Sequence, residues 1–206
     1  MKNNYILQIL KVCVGSFLSG LGIAYCMLSG YGADPITVFF DGVNKATGMN
    51  VGTISNLTLL VLATGAFFVD KKQVGIGTFL TPFFMKFGID YGMGLNLMHG
   101  GWMDIMWFII GVFVIAIGIA MAISAEIGQQ GTDALILGLA KKYGTQYYVI
   151  RWITDGSFLV IGLILGGKLT WGTVIATLLL GRIITFFLNH LFKPEKNRES
   201  SLTVKG

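Results

Sequence analysis

Apolar positions along this chain gather into long unbroken runs separated by short polar punctuation, not into one-sided amphipathic stripes. Runs at 12–29, 51–69, 105–125 and 169–192 reach the length at which a helix crosses hydrocarbon, about 20 residues. Two weaker runs, 74–96 with Lys86 and Asp90 inside it and 152–167 with Asp155 inside it and Arg151 just ahead, bring the predicted spans to six. Two further apolar stretches, 34–45 and 132–142, are about three helical turns each and too short to cross. Both follow a glycine-containing turn and both end in lysine and then glycine, at Lys45 and Gly48 and at Lys141 and Gly144, which predicts short helices with glycine stops. Asp34 suits the N-cap of the first and Pro35 its opening turn. The run at 12–29 follows Lys2 and Lys11 as a secretion signal would, but it has a counterpart later in the chain and no small-x-small cleavage site, so it reads as a retained helix.

A shift of 96 residues superimposes one half of the pattern on the other. Gly15 falls on Gly111, Phe17 on Phe113, and Gly22-Ile-Ala24 on Gly118-Ile-Ala120. Gly32, Gly42, Lys45 and Gly48 fall on Gly128, Gly138, Lys141 and Gly144, and Ile54 and Thr58 on Ile150 and Thr154. One residue of slip later, Gly77-Thr78 matches Gly172-Thr173. Eleven identities over positions 15–58 are about three times what this apolar composition gives by chance, and several fall in turns where hydrophobicity cannot produce them. A duplication follows: residues 1–99 as a first transmembrane repeat, 100–192 as a second, and 193–206 as a cytoplasmic tail.

Composition sharpens the class. Hydrophobic residues make up 54% of the chain and charged ones 12%, half the share of an ordinary soluble domain. The net charge of +5 is scattered between apolar runs, without the dense basic patch and interleaved aromatics of a nucleic-acid surface. Lys2, Lys11, Lys71, Lys72, Lys141, Lys142, Arg151 and the tail cations place both termini in the cytoplasm, with only Lys45 and Lys168 on the outer side of a bacterial plasma membrane. Cys13, Cys26, His99 and His190 have no metal-ligand spacing, no nucleophile motif is present and no cofactor is implied, so the reading is a non-enzyme.

Three spans per repeat is an odd number, so the second copy is inverted relative to the first, as in many transporters. The predicted fold is an all-α polytopic bundle of six spans plus two short broken or re-entrant helices. Irregular backbone at membrane depth needs protein or water around it, so the starts of the short helices are the leading solute site. Candidate solute-binding residues there are Asp34, Gln129, Gln130 and Asp133. Intramembrane charges add Arg151, Asp155, Arg182 and Lys86. Each has a structural alternative: Asp34 and Asp133 as helix-start residues, Asp155 neutralised by Arg151 one turn away, Lys86 paired to Asp90.

At these residues the chain resembles the YczE/YitT type of bacterial multi-pass membrane protein. The likeness lies in the Gly22-Ile-Ala24 helix leading to Gly32-Ala-Asp-Pro35-Ile-Thr37, its partner Gly128-Gln-Gln-Gly131-Thr-Asp133, and the Gly-Thr openings at Gly77 and Gly172. Repeats of that family look like a glycine turn, often Gly-x-x-Pro-x-Asp, followed by a short apolar helix. Here Thr37 stands where Asp is common and Gly131 replaces Pro. The resemblance implies architecture more than activity. The functional expectation is a transporter-like protein for a small polar or anionic solute. The alternative is a substrate-binding or scaffold subunit beside a partner membrane protein, or a homo-oligomer.

Overall fold

A computed structural model describes residues 2–95, 101–128, 130–145 and 147–192. Among the described residues there are eight α-helices, one 3-10 turn at Lys71–Gln73 and no strand. The helices are α1 (Lys2–Leu28), α2 (Pro35–Thr47), α3 (Val51–Val69), α4 (Ile76–Gly94), α5 (Trp102–Ile123), α6 (Gly131–Tyr143), α7 (Tyr147–Ile164) and α8 (Trp171–His190). The short α2 and α6 stand where the glycine-bounded stretches predict them, and both end on a left-handed glycine, Gly48 and Gly144, which have no Cβ to oppose that conformation.

Two helix starts differ from the sequence reading by five residues or more. α1 extends back to Lys2, because nothing between it and the apolar run breaks a helix. α7 starts at Tyr147, five residues before the predicted 152. Arg151 does not interrupt it, since its Nε bonds the Asp155 carboxylate one turn on at 2.8 Å. The far end stops at Ile164 because Gly166 takes a φ of 91°.

Among the described residues four helices contain stretches long and apolar enough to cross a bilayer: Tyr5–Leu28, Val51–Val69, Trp102–Ile123 and Trp171–Leu188. Their outer faces are as greasy as their inner ones, with Phe68 and Trp171 80% exposed and Trp102 83%. Water would make such a surface aggregate; hydrocarbon solvates it. The protein is therefore a membrane protein.

Small residues set the packing. α1 crosses α5 in antiparallel fashion: a Cβ on Gly15 would lie 2.6 Å from the Gly118 carbonyl oxygen, and one on Gly22 would lie 2.7 Å from that of Gly111. α1 also lies along α4, where Gly88 faces Phe17 and Leu21, and Gly92 faces Ala24. Lipid supplies no hydrophobic drive between helices, so such close backbone approach is what association rests on. Of the short helices, α6 runs parallel to α3, with Gly131 against Leu59 and Ala63 near the middle of α3 and Gly138 against Val69 and Asp70 at its end. α2 runs along α7, where Phe39 meets Phe158 with ring centroids 5.3 Å apart and Gly42 packs on Gly162.

Candidate functional site

The site begins with the glycine turns. Ahead of α2, Gly30 and Gly32 adopt φ of 76° and 69°. The Tyr31 carbonyl between them accepts from the Thr170 hydroxyl, and Gly32 packs on Thr173 Oγ1 at the start of α8. Ahead of α6, the Ile127 carbonyl accepts from Gly77 N–H at 3.0 Å and Gly128 packs on Thr78 Oγ1 at the start of α4. Each turn thus sits on a Gly-Thr opening far from it in sequence, and a side chain at Gly32 or Gly128 would strike the threonine hydroxyl.

These turns aim the two short helices into the bundle. Asp34 is the N-cap of α2: its carboxylate accepts from Thr37 N–H at 3.1 Å while Thr37 Oγ1 accepts from Asp34 N–H at 3.0 Å. Thr37 thereby closes a capping box, and its hydroxyl also donates to the Asp34 carbonyl at 2.7 Å, a bond that an ionised Asp at this position could not make. α6 opens without a side-chain cap at Gln130 and places Asp133 in its first turn. Asp133 Oδ1 binds Arg151 Nη1 at 2.8 Å, and the same guanidinium holds Asp155 Oδ2 at 2.8 Å through Nε. One arginine from α7 therefore links a carboxylate of α6 to one of its own helix, and all three side chains retain partial exposure, 35% for Arg151.

These groups share a cavity of about 410 Å³, within the range of small-molecule pockets. Asp34, Gln130, Thr132, Asp133, Arg151 and Asp155 give its polar wall, and Ile23, Ile36, Phe40, Leu59 and Ile115 its apolar one. A second space of about 530 Å³ shares Ser19, Met85, Gln130 and Asp133 with it and extends to Lys72, Gln73 and Glu126 at the α3–α4 loop end. At the opposite end a separate pocket of about 250 Å³, at Asp41, Lys45, Lys168 and Thr170, shares no lining residue with the central one. In this separate pocket Thr170 donates to the Tyr31 carbonyl, and the Asp41 carboxylate accepts from Lys168 N–H at 3.0 Å and binds Lys45 at 2.5 Å.

Of the eight candidates from sequence, Asp34, Gln130, Asp133, Arg151 and Asp155 line this one cavity. Gln129 lies outside the described residues. Lys86 does not line it: its ammonium binds Asp90 at 2.7 Å on α4, beside Gly52 at the start of α3. Arg182 is exposed on α8, although its neighbours Leu180 and Gly181 reach the cavity wall. Thr132 escaped the sequence reading. Its Oγ1 is buried on the polar wall without a hydrogen-bond partner, and a hydroxyl in the first turn of an otherwise apolar short helix was the available signal.

Comparison with known proteins finds relatives that are described as uncharacterized, one of them as a membrane protein. An uncharacterized protein of Haemophilus influenzae is 26% identical over 175 residues, 82% of this chain and 78% of its own length. YyaS of Bacillus subtilis, also uncharacterized, is 25% identical over 186 residues, 88% of this chain and 90% of its own length. YczE of the same organism, described as an uncharacterized membrane protein, is 24% identical over 196 residues, 91% and 88% of the two chains. No solved structure matches the chain. A family model described as a family of unknown function, DUF6198, matches residues 6–189. With nearly the whole helical bundle inside that match, the chain belongs to the family of unknown function DUF6198, a YczE-like family.

Proposed function

We propose that this protein is a carrier for a small polar solute, which alternates access to the Arg151 cavity across a bacterial plasma membrane. In this reading α4 and α7 complete six spans, both termini are cytoplasmic, and the halves are inverted repeats. Three contacts support the inversion. Gly15 faces Gly118 while Gly22 faces Gly111, so across the antiparallel α1–α5 crossing each glycine meets the repeat mate of the other. α6 packs on α3 as its mate α2 packs on α7. The turn before α2 seats on α8 as the turn before α6 seats on α4. A two-fold axis in the membrane plane generates all three relations.

The observation that carries the proposal is a polar cavity at the convergence of α2, α6 and α7 that shares Ser19, Met85, Gln130 and Asp133 with a second space reaching the α3–α4 loop, and shares no lining residue with the pocket at Lys45 and Lys168. In this reading positive charge on the α3–α4 loop makes that end cytoplasmic, and the carrier faces inward. The mirrored seats at Gly32–Thr173 and Gly128–Thr78, both formed in this structure, are where the short helices hinge as access alternates in this reading.

Reconstituted protein in proteoliposomes is expected to exchange a solute taken from a labelled metabolite mixture. Arg151→Ala should abolish that exchange while the protein remains extractable and monodisperse. Exchange that survives this change would remove the cavity from the mechanism. Solute binding without exchange would identify a capture subunit, and co-purification with another membrane protein in place of binding would identify a scaffold.

A further inference from the structure

We infer that the central cavity takes a small organic cation, an ammonium carried on an apolar body. This rests on the carrier reading only for the identity of the cavity, and it names the solute's chemical class. An isolated helix N-terminus favours an anion, and two such ends point here. Both are already answered. Asp34 caps α2 with its own carboxylate, and Asp133 stands in the first turn of α6. The remaining charge is a matter of counting. Asp34, Asp133 and Asp155 bring three negative charges and Arg151 one positive, so among the described residues the lining side chains sum to −2. Two helix ends at about half a positive charge each bring that only to about −1. The deficit lies in a space lined also by apolar side chains, where charge is costly to leave unbalanced. An added anion deepens it and an added cation relieves it.

A second, independent observation points to a ligand. Thr132 is 8% exposed, lines the cavity, and its Oγ1 has no hydrogen-bond partner. A buried hydroxyl left unsatisfied costs free energy; it can accept a hydrogen bond from an ammonium N–H beside the Asp133 carboxylate of the same turn. Among the described residues no three His, Cys, Asp or Glu side chains converge closely enough to hold a metal ion. The three carboxylates share the lining with Ile23, Ile36 and Phe40, a mixture that suits a cationic head with a hydrocarbon body.

The test uses size-matched probes on the full chain in lipid nanodiscs: 3-phenylpropylammonium, 3-phenylpropanol and 3-phenylpropanoate, with propylammonium and choline as smaller cations. At least one ammonium probe is expected to raise the melting temperature, and the alcohol and the carboxylate are not. Asp34→Asn removes a charge but leaves a good N-cap. Thr132→Val removes a hydroxyl that bonds nothing in the protein, so its unliganded melting temperature stays at or above that of the parent. Each should weaken the ammonium probe by about tenfold, the scale of one hydrogen bond or contact to a charged group. A shift by the carboxylate, an equal shift by the alcohol, no shift by any ammonium, or undiminished ammonium binding in both variants would overturn the assignment. Ammonium binding without exchange in proteoliposomes keeps the cation site and removes the carrier. Exchange of an anion keeps the carrier and removes the cation site.

Discussion

At the scale of single residues, glycine and arginine hold the positions that cannot be traded. Gly118 sits where α1 and α5 nearly touch, and a Cβ there would lie 2.5 Å from both the Gly15 carbonyl oxygen and the Ser19 hydroxyl. Neither is the tip of a flexible chain, so the helices must separate. Gly118→Ala is expected to lower unfolding free energy by about 1–3 kcal/mol, the usual cost of overpacking, read as a lower midpoint in detergent-denaturation titrations. Gly156, where a Cβ would meet nothing within 4 Å, should tolerate the same change with no such loss. Arg151 is irreplaceable for a different reason: a planar guanidinium can offer Nη1 to Asp133 and Nε to Asp155 at once, and lysine has no second fixed donor.

At the scale of elements, the short helices derive their stability from what holds their ends. α2 has a complete capping box and a proline start, whereas α6 has no side-chain cap and is anchored at its other end. There Lys141 binds Asp70 at 3.1 Å, tying the end of α6 to the end of α3 outside the apolar core. The Lys141 ammonium, helped by the Lys72 N–H, holds the Asp70 carboxyl below its ordinary value. A carboxylate with a depressed folded-state pKa contributes stability that is fully present above its unfolded pKa, about 3.9, and is lost as pH falls through the folded value. The parent should therefore melt above Asp70→Asn at pH 7, and the two curves should converge as the pH drops below about 4. A gap that persists at the lowest pH would show that the tie is not ionic. The Lys141 side chain is solvent-exposed, so the gap should also shrink with added salt.

At the scale of the whole molecule, the arrangement of cavities makes a prediction about sidedness. With Cys13 and Cys26 replaced by alanine, a cysteine at Gln130 should react with an impermeant thiol reagent from the α3–α4 loop side, because Gln130 lines both the central cavity and the space that reaches that loop. A cysteine at Lys168 should react only from the other side, being confined to the separate outer pocket. Inside-out and right-side-out vesicles read the two cases. Equal labelling of Gln130→Cys from both faces would mean that the Tyr31–Thr170 seat does not close the bundle. Labelling of both cysteines from one face would remove the inverted topology.

The amino-acid sequence alone determined what depends on neighbours within a turn or a span. Long apolar runs mark a membrane protein because bilayer thickness is fixed. Gly48 and Gly144 end the short helices because only glycine turns left-handed there without cost, and Asp155 pairs with Arg151 because four residues make one helical turn. Even the glycines that later face one another are visible as matches between the halves. What the tertiary structure decided is which charges meet. Lys86, Arg182 and Arg151 look alike in sequence, each a cation in or beside an apolar run, yet of the three only Arg151 enters the cavity and binds Asp133 across to α6. The reason is physical: in helices that are apolar all round, hydrophobicity does not record which face turns inward. That rotation is set by where one backbone can approach another, at Gly15 and Gly118 or Gly32 and Thr173, between residues that lie 103 and 141 positions apart along the chain.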